Sequence, residues 1–143
     1  MSPGTPVWIN GDLVEAEAAS LSVLDHGVTV GDGVFETLKV VTDAAGMTQG
    51  FALTRHLRRL RRSAAGLDLD VNRTDDELRE AVRLVLDAAG RAATGPDERP
   101  GRVRITVTGG VSPLGSVRGA GGPTVVVAAA PLDPWPLSAA VVT

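Results

Sequence analysis

Two glycines flank an aspartate in Gly31-Asp32-Gly33, directly before the apolar run at residues 34–41, and this junction constrains the fold most. Glycine adopts backbone conformations closed to other residues and allows close approach of a ligand or a second backbone. The run that follows is rich in Val and Leu and contains Phe35, which predicts a β-strand. The junction therefore predicts a tight turn that leads directly into a strand.

One face of this strand carries the side chains of greatest interest, because side chains alternate across a strand. Phe35, Thr37 and Lys39 are predicted to share that face, and Lys39 is the only lysine of the chain. Taken alone, Phe35 is typical of a packed core residue and Thr37 of an ordinary strand position. A ligand-facing role and a packing role both stay open for this face.

An arginine-rich segment after the strand predicts a short helix from Leu53, since apolar residues recur at helical spacing at positions 57, 60 and 64. Thr54 is a candidate N-cap and Gly66 a candidate C-cap. Guanidinium groups bind phosphate in a bidentate fork and stay charged. Arg59 lies next to Leu60 rather than opposite the apolar stripe, which favours a binding role. The alternative is that the arginines form a solvated basic face.

The rest of the chain completes an α+β pattern. Thr74 and Glu77 form a capping box before an apolar stripe, which predicts a second helix up to Gly90. The fold class predicted is therefore α+β, an antiparallel-rich sheet with two packed helices. Further strands are predicted at residues 7–10, 13–15, 21–24, 103–107 and 124–129, the last one central because it is apolar throughout.

Composition narrows the class of protein. The 143 residues are 43% hydrophobic and 22% charged, as in an ordinary globular domain. A net charge of -3 and 3% aromatic residues argue against nucleic-acid binding. The chain has no cysteine and only His26 and His56, so no metal site is expected and both histidines are predicted to make structural hydrogen bonds. Without a signal peptide or membrane-spanning run, a cytoplasmic protein with no membrane partner is expected.

Five short motifs follow one another along the chain in a specific order. They are Val7-Trp8-Ile9-Asn10-Gly11, Asp25-His26-Gly27, Gly31-Asp32-Gly33-Val34-Phe35-Glu36, His56-Leu57-Arg58-Arg59-Leu60 with Ser63-Ala64, and Val107-Thr108-Gly109-Gly110. In this order they resemble the first half of the class IV pyridoxal-phosphate-dependent enzymes. That family includes branched-chain aminotransferases, D-amino-acid aminotransferases and 4-amino-4-deoxychorismate lyases.

The resemblance implies roles for individual residues. Arg59, in the pattern His-x-x-Arg-Leu, would bind the phosphate of the cofactor pyridoxal 5'-phosphate. Phe35, Thr37 and Lys39 would face the substrate pocket. Arg104 would help to bind the substrate carboxylate, or alternatively would be a solvent-facing arginine of the sheet. No catalytic residue is expected in this chain, because the family's Schiff-base lysine belongs to a second domain.

The glycine-rich loop at residues 109–123 departs from part of the family. D-Amino-acid aminotransferases carry an arginine and a histidine where this chain has Leu114 and Ser116. Arg118, further along the loop, is the remaining candidate for that carboxylate contact. Phe35 followed by Thr37 looks more like the lyase branch. The resemblance thus favours a 4-amino-4-deoxychorismate lyase, which forms 4-aminobenzoate and pyruvate, over a branched-chain or D-amino-acid transaminase.

The resemblance also implies a division into domains. Residues 1–130 would form the small N-terminal domain, residues 131–138 an interdomain linker, and residues 139–143 the start of a missing domain. The 143-residue chain alone is therefore expected to be inactive. The complete enzyme is expected to be a homodimer that acts on an amino or keto acid or on aminodeoxychorismate. An interpretation of another class stays open, namely a non-catalytic binding or dimerisation module.

Overall fold

Residues 4–133 are described by the computed structural model, and they form one six-stranded antiparallel sheet with two long helices. The strands are β1 Pro6–Ile9, β2 Asp12–Glu15, β3 Gly33–Thr42, β4 Thr48–Gly50, β5 Arg102–Thr108 and β6 Thr124–Ala130. The helices are α1 His26–Thr29, α2 Leu53–Gly66 and α3 Asp75–Ala92, with a 3₁₀ turn at Pro96–Glu98. Across the sheet the order is β2-β1-β6-β5-β3-β4. The predicted α+β class with two packed helices is confirmed.

The core lies between the sheet and the two long helices, because the central strands turn alternate side chains toward α2 and α3. Strand β6 lies between β1 and β5, which confirms that the apolar strand is central. Burial of each large aliphatic side chain stabilises the fold by about 1.5–3 kcal/mol. The core side chains include Leu38, Val40, Leu57, Leu60, Leu78, Val82, Val85, Val103, Ile105, Val107, Val125 and Val127.

Helix α3 begins as predicted. The Glu77 amide donates to Thr74 Oγ1 at 3.1 Å, and the Thr74 amide donates to Glu77 Oε2 at 2.6 Å. This reciprocal capping box satisfies two amides that the first helical turn leaves unpaired. The helix runs to Ala92, two residues beyond the predicted end at Gly90.

Helix α2 begins differently from the prediction. Its N-cap is Ala52, which has φ of 55° and makes no side-chain cap hydrogen bond. The predicted N-cap, Thr54, lies inside the helix, where its hydroxyl accepts a hydrogen bond from Arg79 at 2.8 Å. Gly66 is the last helical residue, and the C-cap is Leu67. The threonine thus joins α2 to α3 instead of capping α2.

The predicted strand at residues 21–24 is wrong. Leu21, Val23 and Leu24 are all exposed there, so the segment has no apolar face to bury against the sheet. The Asp25 amide donates to the Ser22 carbonyl at 3.0 Å and closes a turn instead. Asp25 then caps the single-turn helix α1 by accepting a hydrogen bond from an amide of its first turn.

Within residues 4–133, no helix is both long enough and apolar enough to cross a membrane. Residues 134–138 of the predicted linker, and residues 139–143, which were predicted to start a second domain, lie outside the described residues.

Candidate functional site

A buried carboxylate, Glu36, organises one side of β3. It lies on the core-facing phase of the strand, is only 5% exposed, and is approached by α2. Arg59 donates from Nε to Glu36 Oε1 and from Nη2 to Oε2, both at 2.7 Å. Nδ1 of His56 lies 2.7 Å from Oε2, which accepts its hydrogen bond. Two side chains from adjacent turns of α2 therefore converge on one carboxylate.

This pairing determines the charge of the cluster. The Arg59 hydrogen bonds lower the pKa of Glu36, more strongly than burial raises it, and His56 adds to the lowering. Glu36 in turn raises the pKa of Arg59. Because a buried charge is costly unless it is paired, the fork between the two side chains holds Arg59 in one orientation. The Arg59 side chain is nevertheless 60% exposed, so it can meet a second anion.

Arg59 also lines a cleft of about 380 Å³ on the surface of α2. Its fork with Glu36 uses Nε and Nη2, so Nη1 has no hydrogen-bond partner within residues 4–133. Several guanidinium groups around one cleft are suited to bind a phosphate or a carboxylate. The cleft is lined by Ala52, Arg55, His56, Arg58, Arg59 and Arg62.

The opposite face of β3 carries a second group of side chains. Arg104 on β5 is the cross-strand partner of Thr37. Its Nε donates to Thr37 Oγ1 at 2.9 Å, and its guanidinium carbon lies 4.3 Å from the centre of the Phe35 ring. Phe35 is 57% exposed, so it is not the packed core residue that the strand pattern alone allowed. The structure therefore brings together three of the predicted substrate-facing residues.

Lys39 and Arg59 stand apart from that group. Lys39 is exposed, pairs across the sheet with Arg102, and has no side-chain partner within the described range 4–133. Arg59 contacts Glu36, whose side chain leaves β3 on the face opposite Phe35. Lys39 lies on the same face of β3 as Phe35 without joining that group, so the other predicted site residues form two groups on opposite faces of the strand.

Arg118 belongs to neither group. It donates from Nε and Nη2 to the two carboxylate oxygens of Asp32, at 2.6 and 2.7 Å. It also donates to the carbonyls of Leu67 and Asp68, at 2.6 and 2.5 Å. These contacts tie the glycine-rich loop to the turn before β3 and to the end of α2. Arg118 is therefore a structural clamp, which speaks against its use as the carboxylate contact considered from the sequence.

The turn before α1 is held by buried polar groups. Asp25 accepts hydrogen bonds from the Gly27 amide at 2.8 Å and from Thr124 Oγ1 at 2.7 Å. His26 is fully buried, and its Nε2 lies 3.3 Å from the Pro113 carbonyl. The Nε2 contact agrees with the structural hydrogen-bonding role predicted for His26, whereas its buried Nδ1 has no hydrogen-bond partner within the described residues.

The clamp predicts a pH-dependent stability. Arg118 hydrogen bonds lower the pKa of Asp32 below its ordinary value of 3.8. A carboxylate whose pKa is lower in the folded than in the unfolded protein stabilises the fold at pH values above its unfolded-state pKa. This stabilisation is lost as the pH falls through the folded-state pKa. We expect Asp32→Asn to lower the free energy of unfolding by about 1–2 kcal/mol at neutral pH. This difference from wild type should shrink as the pH falls below about 4.

Urea unfolding of the intact protein at several pH values measures this effect. Asp87→Asn is the control, because Asp87 pairs with Arg83 on an exposed surface where ion pairs contribute little. A difference between Asp32→Asn and wild type that stays constant down to acidic pH would show that the Asp32 charge is unimportant.

Comparison with known proteins identifies the family. The family model for amino-transferase class IV matches residues 33–142 of the chain. The chain belongs to the class IV aminotransferase family. The match begins at β3, so it includes Glu36, the α2 arginines and Arg104.

Two aminotransferases of other organisms are similar in sequence to this class IV chain over much of its length. The putative branched-chain-amino-acid aminotransferase of Methanocaldococcus jannaschii is 33% identical over 129 residues, which is 90% of this chain and 41% of that protein. D-Alanine aminotransferase of Staphylococcus epidermidis is 38% identical over 82 residues, which is 57% of this chain and 27% of that protein.

Solved structures also match the fold of the class IV chain. The branched-chain amino acid aminotransferase of T.th., complexed with N-(5'-phosphopyridoxyl)-L-glutamate, has a TM-score of 0.78 at 28% identity, over 92% of this chain and 42% of that one. The 4-amino-4-deoxychorismate lyase from Pseudomonas aeruginosa has a TM-score of 0.63 at 28% identity, over 91% of this chain and 41% of that one. The chain thus spans less than half the length of these relatives.

Glu36 is the site residue of this class IV chain that sequence analysis missed. A sequence signal was available, because Glu36 lies on the same face of the strand as Leu38 and Val40. Carboxylates are rarely buried on such an apolar face unless they are paired. A buried carboxylate requires a cationic or hydrogen-bonding partner. The pattern could therefore have predicted a partner for Glu36, although not which of the many arginines it is.

Proposed function

We propose that this chain is the cofactor-phosphate-binding part of a pyridoxal-phosphate-dependent aminotransferase whose amino-acid substrate is branched-chain. Membership of the class IV family supports a cofactor-dependent enzyme. The observation that carries the proposal within this chain is the Arg59 guanidinium, fixed by Glu36 and exposed in an arginine-lined cleft. The transaminase interpretation follows the named relatives and replaces the lyase interpretation that the Phe35 and Thr37 pattern favoured.

The residues present fit a phosphate group. Arg59 keeps an Nη1 without a partner within residues 4–133, and it lies in a cleft where other arginines add positive charge. Glu36 orients Arg59 and prevents it from folding back onto other acceptors. Bound pyridoxal phosphate would supply a conjugated ring that stabilises negative charge next to the substrate nitrogen. In this proposal the chain's own contribution is to hold the phosphate end and keep it oriented.

The substrate side of the proposal rests on the open face of the sheet. Arg104 is held by the Phe35 ring and by Thr37 Oγ1, and its terminal nitrogens have no partner within residues 4–133. A preoriented guanidinium of this kind suits a carboxylate. Val126 and Ala128 continue the cross-strand rows of Phe35 and Arg104 and add an apolar surface beside them. An apolar amino acid matches that combination better than a second charged group does.

The complete protein would supply what this chain lacks. The two groups of candidate residues lie on opposite faces of β3, so other parts of the enzyme have to close each surface. Our proposal keeps residues 1–130 as the smaller domain and assigns the covalent lysine to a second domain. Lys39 would then line the substrate side and take no covalent part. A homodimer is part of the same proposal.

Amino-group transfer by the intact protein tests the assignment. We expect transfer from leucine to 2-oxoglutarate to exceed transfer from D-alanine by about tenfold or more, the usual discrimination between apolar substrates of different size. Efficient transfer from D-alanine with little from leucine would instead favour the D-amino-acid branch. Release of pyruvate from aminodeoxychorismate without transamination would overturn the transaminase proposal and support the lyase.

A further inference from the structure

The outer surface of α2 is strongly basic. Arg55, Arg59 and Arg62 recur three and four residues apart, which places them on one side of the helix. Arg58 lies at the edge of the same surface, and all four line the 380 Å³ cleft. We call these four residues the arginine face. No aspartate or glutamate occurs in Leu53–Gly66, so the helix itself does not neutralise them.

Three members of the arginine face are unpaired in the described part of the chain. The side chains of Arg55, Arg58 and Arg62 make no hydrogen bond or ion pair within residues 4–133. Other arginines of the same region are engaged, since Arg61 binds Asp75 at 2.6 Å and Arg79 binds Thr54 at 2.8 Å. Among the described side chains, the only carboxylate that reaches the arginine face is Glu36, which Arg59 and His56 already share. The face therefore keeps an excess of positive charge.

This excess contrasts with the chain as a whole. The net charge of the chain is -3, whereas the arginine face carries positive charge that attracts an anion. A local field of one sign raises the rate at which oppositely charged ligands find a cleft, by a factor of roughly ten to a thousand in strongly steered cases. Exposed charges of this kind change association rates more than dissociation rates.

We propose that Arg55, Arg58 and Arg62 capture phosphomonoester ligands from solution and deliver them to Arg59. This inference rests on the proposed function, because pyridoxal phosphate is the phosphomonoester expected there. It adds a separate role for three residues. Arg59 holds the bound phosphate, whereas the outer arginines accelerate its arrival without contacting it in the final complex.

Stopped-flow absorbance on the intact apoprotein tests the proposal with pyridoxal phosphate as the probe. We expect Arg55→Gln combined with Arg62→Gln to lower the association rate constant by about three- to tenfold at low salt and to leave the dissociation rate constant unchanged. The association rate constant should also fall less steeply with added salt in this variant. Arg55→Lys with Arg62→Lys keeps both charges and should associate at nearly the wild-type rate.

Two controls isolate the effect. Arg91→Gln with Arg99→Gln removes the same charge from exposed positions outside the cleft and should leave association unchanged. Pyridoxal lacks the phosphate, so its association should not respond to either pair of substitutions. The capture role would be overturned by an unchanged association rate in the Arg55 and Arg62 variant, or by an equal fall of that rate in the control variant. The proposed function would stand in either case. A wild-type protein that takes up no pyridoxal phosphate would overturn both capture and the proposed function.

Discussion

Gly110→Ala is expected to destabilise the protein by about 3 kcal/mol or more, because two independent costs add at this position. Gly110 has φ of 75°, in the left-handed region that disfavours residues with a Cβ. A Cβ built there would overlap the carbonyl oxygen of Gly122, which is backbone and cannot move aside as a side chain can. The Gly110 carbonyl also accepts a hydrogen bond from the His26 amide at 2.9 Å.

Urea unfolding of the intact protein measures this loss, and Gly90→Ala is the matched control. Gly90 lies within α3, has no positive φ, and leaves open space among the described residues where the alanine Cβ would lie. Alanine should therefore stabilise the helix there by about 0.5–1 kcal/mol. Opposite signs for two identical substitutions would link the effect to backbone geometry. Equal unfolding midpoints for Gly110→Ala and wild type would contradict the close packing of the loop against Gly122.

Local sequence signals predicted the parts of the fold that depend on local interactions. The Thr74 capping box is formed by residues three apart, so its pattern is visible in the sequence. The alternation of Val103, Ile105 and Val107 predicted β5 for a similar reason, because one buried face imposes a period of two. The turn at Gly31 likewise has φ of 70°, as the glycine pattern indicated.

Elements that depend on distant partners could not be predicted in the same way. β4 has only three residues, Thr48–Gly50, and exists because β3 offers its edge to pair with. Ala52 starts α2 in a left-handed conformation that no side-chain pattern announces. Leu21 and Leu24 suggested a strand, but no strand within residues 4–133 pairs with them or gives them a face to cover.

The candidate site shows the same division. Arg59 was identified from its motif and from its position beside the apolar stripe of α2. Its partner Glu36 is 23 residues away along the chain, and only the packing of α2 on β3 brings the two together. Arg118 and Asp32 are 86 residues apart, and their pairing shows that the loop arginine is a clamp. Charged residues can be recognised in a sequence, whereas their pairing requires the fold.

Arg59→Ala is expected to weaken binding of pyridoxal phosphate to the intact protein by about ten- to a hundredfold, the range for loss of hydrogen bonds to a charged group. The phosphate would lose its guanidinium donor. Glu36 would lose both Arg59 hydrogen bonds and keep only His56, so its negative charge would oppose the phosphate. Equilibrium titration followed by cofactor absorbance measures the change.

Companion variants separate phosphate binding from folding. Glu36→Gln combined with Arg59→Ala removes the uncompensated buried charge, so the fold should recover stability while cofactor affinity stays low. Arg59→Lys keeps the charge but loses the bidentate fork with Glu36. Its affinity for pyridoxal phosphate should therefore fall between those of wild type and Arg59→Ala. Arg91→Ala, on the exposed end of α3, should titrate as wild type does. If Arg59→Ala also titrates as wild type does, Arg59 serves only to neutralise Glu36, and the phosphate is bound elsewhere.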